Sequence, residues 1–212
     1  SDDSWTASYV VGPNEVAEGL VWIRVDYEDL ASNAGATRSS VTDGSYVTVD
    51  LTAPSLTTVT ISSDNAQDST RANEGDTITV SVTASENIVS PSVQIVGQDG
   101  VVTGSDRVWA ATYTVVPADI DEGLVWILVE YRDLASNQGE AMHAVTDSSA
   151  VTIDLTAPTL TTVSINSDNS ADASMANAGD TITVTLTASE PIVAPVVEIG
   201  GAASTALTGS GP

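Results

Sequence analysis

Sliding the 212-residue chain against itself by 104 positions aligns Trp5 with Trp109, Trp22 with Trp126, Asp50 with Asp154, Gly75 with Gly179 and Glu86 with Glu190, without a gap. Between Trp5 and Gly97, 57 of the 93 aligned pairs are identical, too many for chance likeness. A period of this length is a whole domain, not a solenoid turn. The phase of the repeat divides the chain: residues 51–154 read as one complete domain, residues 1–50 as the C-terminal half of another, and residues 155–212 as the N-terminal half of a third. Half-domains of about 50 residues leave an apolar face and open strand edges. Complementary halves are therefore expected to complete one another head to tail between chains, giving a linear row. A longer tandem array cut in an exposed loop would present the same halves.

The complete copy specifies strands. In TITVSVTA, Thr77 to Ala84, the residues Ile78, Val80 and Val82 share one face and Thr79, Ser81 and Thr83 the other, the period of two of a half-buried strand. TVTIS before it, and VQIVG, WAATYTVV, GLVWILVEY and AVTID after it, have the same β-branched character and are separated by Gly, Pro, Asn and Asp. No segment sustains a helical period. Six or seven short strands in about 100 residues predict an all-β chain of antiparallel, immunoglobulin-type sandwiches without significant helix. GLVWILVEY is apolar throughout, but its first copy reads GLVWIRVDY. Arg24 and Asp26 mark the outer face there, which leaves Val21, Ile23, Val25 and Tyr27 inside. Trp22 and Trp126 then lie outside, where an indole either stacks on a sugar or covers a neighbouring strand or loop.

Twenty-nine acidic residues against five Arg and no Lys give a formal net charge of -24. Such a surface repels nucleic acid and anionic membrane. Apolar residues are nonetheless 42% of the chain, which sets it apart from a disordered acidic tail. The absence of Cys excludes a disulfide framework, leaving the core or bound ions as the source of stability. No apolar run reaches the roughly 18 residues of a membrane-spanning helix, so direct membrane insertion is not expected.

Many of the carboxylates fall at strand ends and turns, beside Asn and Gly: SDN at 63–65, SE at 85–86, ADIDEG at 118–123 and YRDLASNQG at 131–139. Calcium favours this setting, because it takes six to eight hard oxygen ligands from carboxylates, amides and main-chain carbonyls in flexible loops. Asp133 and Asn137 flank a small-residue turn in DLASN, and Asp29 and Asn33 repeat it. Asp154 stands four residues before Pro158, where a restricted linker meets the next domain. An ion held there would make the linker a rigid joint. General acidity in a salt-adapted protein is the competing explanation.

DLTAPTLTTV, GDTITVTLTASEPI, DEGLVWI and YRDLASNQG, in this order and spacing, resemble the bacterial Ig-like repeats of very large surface adhesins and related extracellular proteins. The resemblance covers the whole chain. It implies calcium-binding β-sandwiches in long tandem rows at the bacterial cell surface, holding a terminal binding domain away from the cell in adhesion or biofilm. Carried over by position, it implies Asp50 and Asp154 as joint ligands with Glu86 and Glu190 of the TASE segments. Asp29 with Asn33 and Asp133 with Asn137 would be further ligands, and Asp64 and Asp168 of SDN complete the set. Many relatives read DLAGN, from which Ser32 and Ser136 depart. In the ADIDEG loop, the first copy replaces Asp119 with Glu15 and Asp121 with Ala17, so an ion bound in that loop would bind the two copies with different affinity.

The inventory for catalysis is thin. The single His143 is Ser39 in the other copy, there is no Cys or Lys, and no cleft is evident for paired carboxylates. The chain is read as a non-enzyme whose partners are copies of itself or neighbouring repeats, with surface glycans reached through the parent protein. The alternative is a calcium-dependent carbohydrate-binding or ligand-binding sandwich, which would carry longer loops than two copies that match without insertion.

Overall fold

A computed structural model describes residues 4–12, 16–204 and 206–209. The described residues are all β, without a helix. They form two compact units that divide between Leu155 and Thr156. Glu15 lies outside the described residues.

In the first unit, β1 (Gly19–Leu20) and β2 (Thr48–Val49) are an antiparallel pair. Then follow β3 (Leu56–Ser63), β4 (Arg71–Ala72), β5 (Thr77–Ala84), β6 (Ser92–Ile95), β7 (Gln98–Asp99), β8 (Val101–Ser105), β9 (Val108–Thr114), β10 (Gly123–Leu124), β11 (Ile127–Glu130) and β12 (Thr152–Ile153). A four-stranded antiparallel sheet runs β3-β5-β9-β8, and a three-stranded one runs β11-β6-β7. A third ladder, β10-β12-β4, is antiparallel at its first pair and parallel at its second. Together these make a sandwich-like body over residues 51–154.

Its core follows from the pattern of two. Ile78, Val80 and Val82 of β5 are buried, as are Val59 and Ile61 of β3, and they pack with Ile95, Ile127, Val129, Val151 and Ile153 in one continuous cluster. The edge of β3 away from β5 is closed by side chains: Thr146 and Ser149 accept the Val59 and Ile61 amides at 2.9 Å each. Val129 and Tyr131 face inward while Glu130 and Trp126 face out, as the comparison of the two copies predicts. Tyr131 lies flat over Gly139, where any Cβ would overlap its ring.

GLVWILVEY is not one strand. It breaks at Val125 and Trp126, with β10 on β12 and β11 on β6, and the Val125 and Trp126 backbones bond in opposite directions, to Val151 and Val96. A segment apolar on both faces carries no periodicity from which such a change of partner could be read.

The flanking residues carry the same sequence pattern with fewer strands and without the same burial. In residues 4–50, Val21, Ile23, Val25 and Tyr27 are exposed, although Val21 and Ile23 are less so than Trp22 between them. The second unit holds the antiparallel pair β13 (Leu160–Ser167) and β14 (Ile182–Ala188), followed by β15 (Glu198–Ile199) paired with β16 (Ala202–Ala203). Its first pair repeats the β3-β5 register, including the irregularity after the first residue. Yet Val163 and Ile165 are 61% and 66% exposed, against 0% and 6% for Val59 and Ile61.

Candidate metal centre

Three carboxylates from distant parts of the chain meet at one end of the sandwich. Asp50 directly follows β2, Glu86 lies two residues beyond β5, and Asp133 lies three beyond β11. Each position is fixed by local bonds. The Ser85 amide donates to the Ser55 carbonyl and the Ser55 amide to the Ser85 hydroxyl, which ties the Glu86 turn to the start of β3. The Asp133 turn is closed by its own Asn: the Asn137 amide donates to Asp133 Oδ1 and the Asn137 Nδ2 to Asp133 Oδ2, both at 2.8 Å. Nδ2 also donates to the Asp50 carbonyl at 3.0 Å, so Asn137 braces two of the three acids. Ser136 takes the left-handed conformation this turn demands (φ 75°), a conformation glycine adopts more easily.

One oxygen from each acid lies within 4.8 Å of the other two, and Asp133 is buried while Asp50 and Glu86 are half-buried. An ion with oxygen ligands at about 2.3–2.6 Å spans that separation. The set is all carboxylate, which suits a hard cation rather than a thiophilic metal. Burial pushes the Glu86 carboxyl up, and the negative charges of Asp50, Asp133 and Glu18 push it further in the same direction. A cation between the acids would relieve this.

Glu18 is the residue that sequence reasoning missed. Its Oε1 accepts the Leu51 amide at 2.9 Å and the Thr52 hydroxyl at 2.7 Å, bonds that lower its pKa and clamp residues 4–50 to DLTAP. A signal existed. Where the two copies of its loop diverge at the first acidic positions, the acid before the Gly persists as Glu18 and Glu122, and Glu122 likewise accepts the Leu155 amide.

The other expected ligands occupy other settings. Asp29 repeats the Asp133 turn in full, accepting the Ala31 and Asn33 amides and the Asn33 Nδ2, bonds led by Asn33 that lower its pKa. Asp64 and Asp168 close turns by accepting the Thr77 and Thr181 amides, and neither belongs to the acidic group. Asp154 donates its amide to the Ala72 carbonyl, and its carboxylate lies 3.6 Å from Arg71. Glu190 follows Ser189, whose bonds to Thr159 reproduce those between Ser85 and Ser55.

No family model, curated protein or solved structure matches the chain.

Proposed function

We propose that the chain is a structural extender: tandem Ig-like sandwiches of 104 residues, of the kind found in extracellular bacterial adhesins and filaments, with calcium stiffening the joints. One observation carries this reading. The acidic group takes Asp50 from the segment that enters the sandwich and Glu86 and Asp133 from loops of the sandwich itself. An ion bound by all three fastens one repeat to the next, which is the mechanical requirement of a long stiff row. The resemblance of DLTAP, TASE and DLASN to adhesin repeats supports the same role, as does repetition without loop elaboration. The reading gives the protein no catalytic part and places it outside the bacterial cell.

Melting with and without chelator tests it. At 100 times its Kd, calcium adds about 2.7 kcal/mol to the folded state. In a domain of about 100 residues this raises Tm by roughly 10–20 °C. A melt that is the same in EGTA and in calcium sinks the joint. The carbohydrate-binding alternative rests on the exposed Trp22 and half-exposed Trp126. The Trp126 ring, however, stands 3.4 Å from where a Cβ of Gly97 would be, so it already covers a turn. Binding on a glycan array would favour that alternative.

A further inference from the structure

The two outer faces of the middle sandwich differ in charge. In the four-stranded sheet β3-β5-β9-β8, the register sets Thr60, Ser81, Ala110 and Thr103 in one row across the strands. They alternate with the buried Ile61, Val80 and Ala111 and so point outward, and the neighbouring outward rows are again Thr, Ser and Val. None of the outward residues of these four strands is ionisable. On the other sheet, β11-β6-β7, the outward residues include Glu130 and Asp99. One repeat away, the places of Leu128, Glu130 and Gln94 on that face hold Arg24, Asp26 and Glu198.

Strand preference does not account for the contrast, because Thr suits an exposed strand on either sheet. The two copies keep the same restriction: Thr60, Ser81 and Thr112 become Ser164, Thr185 and Ser8, a hydroxyl for a hydroxyl. All four strands lie within residues 51–154, so the face is complete in the middle sandwich. Its charge state points to a partner. A chain with a formal charge of -24 meets a copy of itself against repulsion wherever acids face each other. On the hydroxyl face no charge has to be opposed or stripped of water. Ser and Thr each donate and accept, so the face is complementary to itself. No aromatic ring stands there for a sugar to stack against, since Trp109 of β9 packs toward the core.

We propose that the outer face of β3-β5-β9-β8 is a lateral docking surface for the same face of a second copy of this chain. The contact is isologous and runs along the side of the sandwich, away from the joint. With strands about 4.8 Å apart and a rise of about 3.4 Å per residue, the face covers roughly 400 Å². That is half of the roughly 800 Å² per partner in a standard interface, so one contact alone is weak. Rows of repeats that each present the face hold through many such contacts at once. The contact uses neither the acidic group at Asp50 nor the flanking segments, and its failure would leave the calcium-stiffened extender standing.

Two substitutions that add the same charge in different places test this. Ser81→Glu sets a carboxylate in the middle of the hydroxyl face, and Gln94→Glu sets one on the outer face of the other sheet, where the other copy already has Glu198. Each adds one negative charge to the formal -24, so repulsion between whole chains changes equally and only the location differs. Sedimentation velocity of the 212-residue chain and both variants is measured at concentrations up to about 1 mM, the range of a weak contact. The expected result is association that Ser81→Glu weakens roughly 10-fold and Gln94→Glu leaves within about 2-fold. Thermal melts show that each variant is folded, and Ser62→Glu, on the same face, takes the place of Ser81→Glu if that variant is not. Monomers at every concentration overturn the proposal. So does equal weakening by both variants, which would mean bulk repulsion, and so does association that neither changes, which would place the contact elsewhere.

Discussion

Asp133 shows what single residues contribute at the joint. It is fully buried, an uncommon state for a carboxylate, and both its oxygens accept bonds from Asn137. The bonds orient the acid but do not neutralise it, and Asp50 and Glu86 add like charge within 4.8 Å. The effect of Glu86→Gln should therefore change sign with the cation. In EGTA the substitution removes one of three mutually repelling charges and raises Tm by a few degrees. In millimolar calcium it removes a ligand and lowers Tm instead. Melting both proteins in both buffers reads the crossing, and a shift of the same sign in both would mean that no cation binds there. DLASN spelled out Asp133 and Asn137 as a pair that shares a turn. It did not reveal that the Asn137 Nδ2 donates to both Asp133 and the Asp50 carbonyl, because the second partner lies far away in the sequence. Glu18 was legible only in the comparison of the two copies, because its part depends on meeting Leu51 and Thr52, 33 and 34 positions away, which no local pattern encodes.

Strands behave as their surroundings dictate. β3 and β13 have nearly the same sequence and the same bulge, and only β3 has a sheet on its apolar face. Ile61→Ala should thus destabilise the middle sandwich by about 2–5 kcal/mol. Ile165→Ala, at an exposed site in the chain alone, should stay within about 0.5 kcal/mol in dilute protein. Chemical denaturation of the two variants checks the contrast, and equal losses would mean that β13 is covered. The turns that seat the outer edge of β3 give a pH dependence. Asp147 is held below the ordinary Asp value of 3.8 by the Ser149 hydroxyl and amide, and Asp68 by those of Thr70. A lowered folded value means the stabilisation is present above pH 3.8 and lost as pH falls through the folded value. Melts in chelator should therefore be unaffected by these two groups near neutrality and drop below about pH 4, with Asp147→Asn showing a shallower drop. At this scale the sequence was most legible where polar and apolar residues alternate, as in β5. It was least legible in GLVWILVEY, where the chain moves from β12 to β6 and both faces are apolar.

Across the whole molecule, the formal charge of -24 repels itself and opposes the compact state. Salt screens that repulsion, since the Debye length falls from about 30 Å at 0.01 M to about 8 Å at 0.15 M. The surface ion pairs, Arg24 with Asp26 and Arg71 with Asp154, act in the opposite sense, but a pair of this kind contributes about 0–1 kcal/mol and also weakens with salt. Many repelling charges are thus screened for each attractive pair lost. The Tm in EGTA should therefore rise as sodium chloride goes from about 0.01 to 0.15 M. Thermal melts at matched protein concentration read the slope, and a Tm that falls with salt would mean that specific ion pairs outweigh the repulsion.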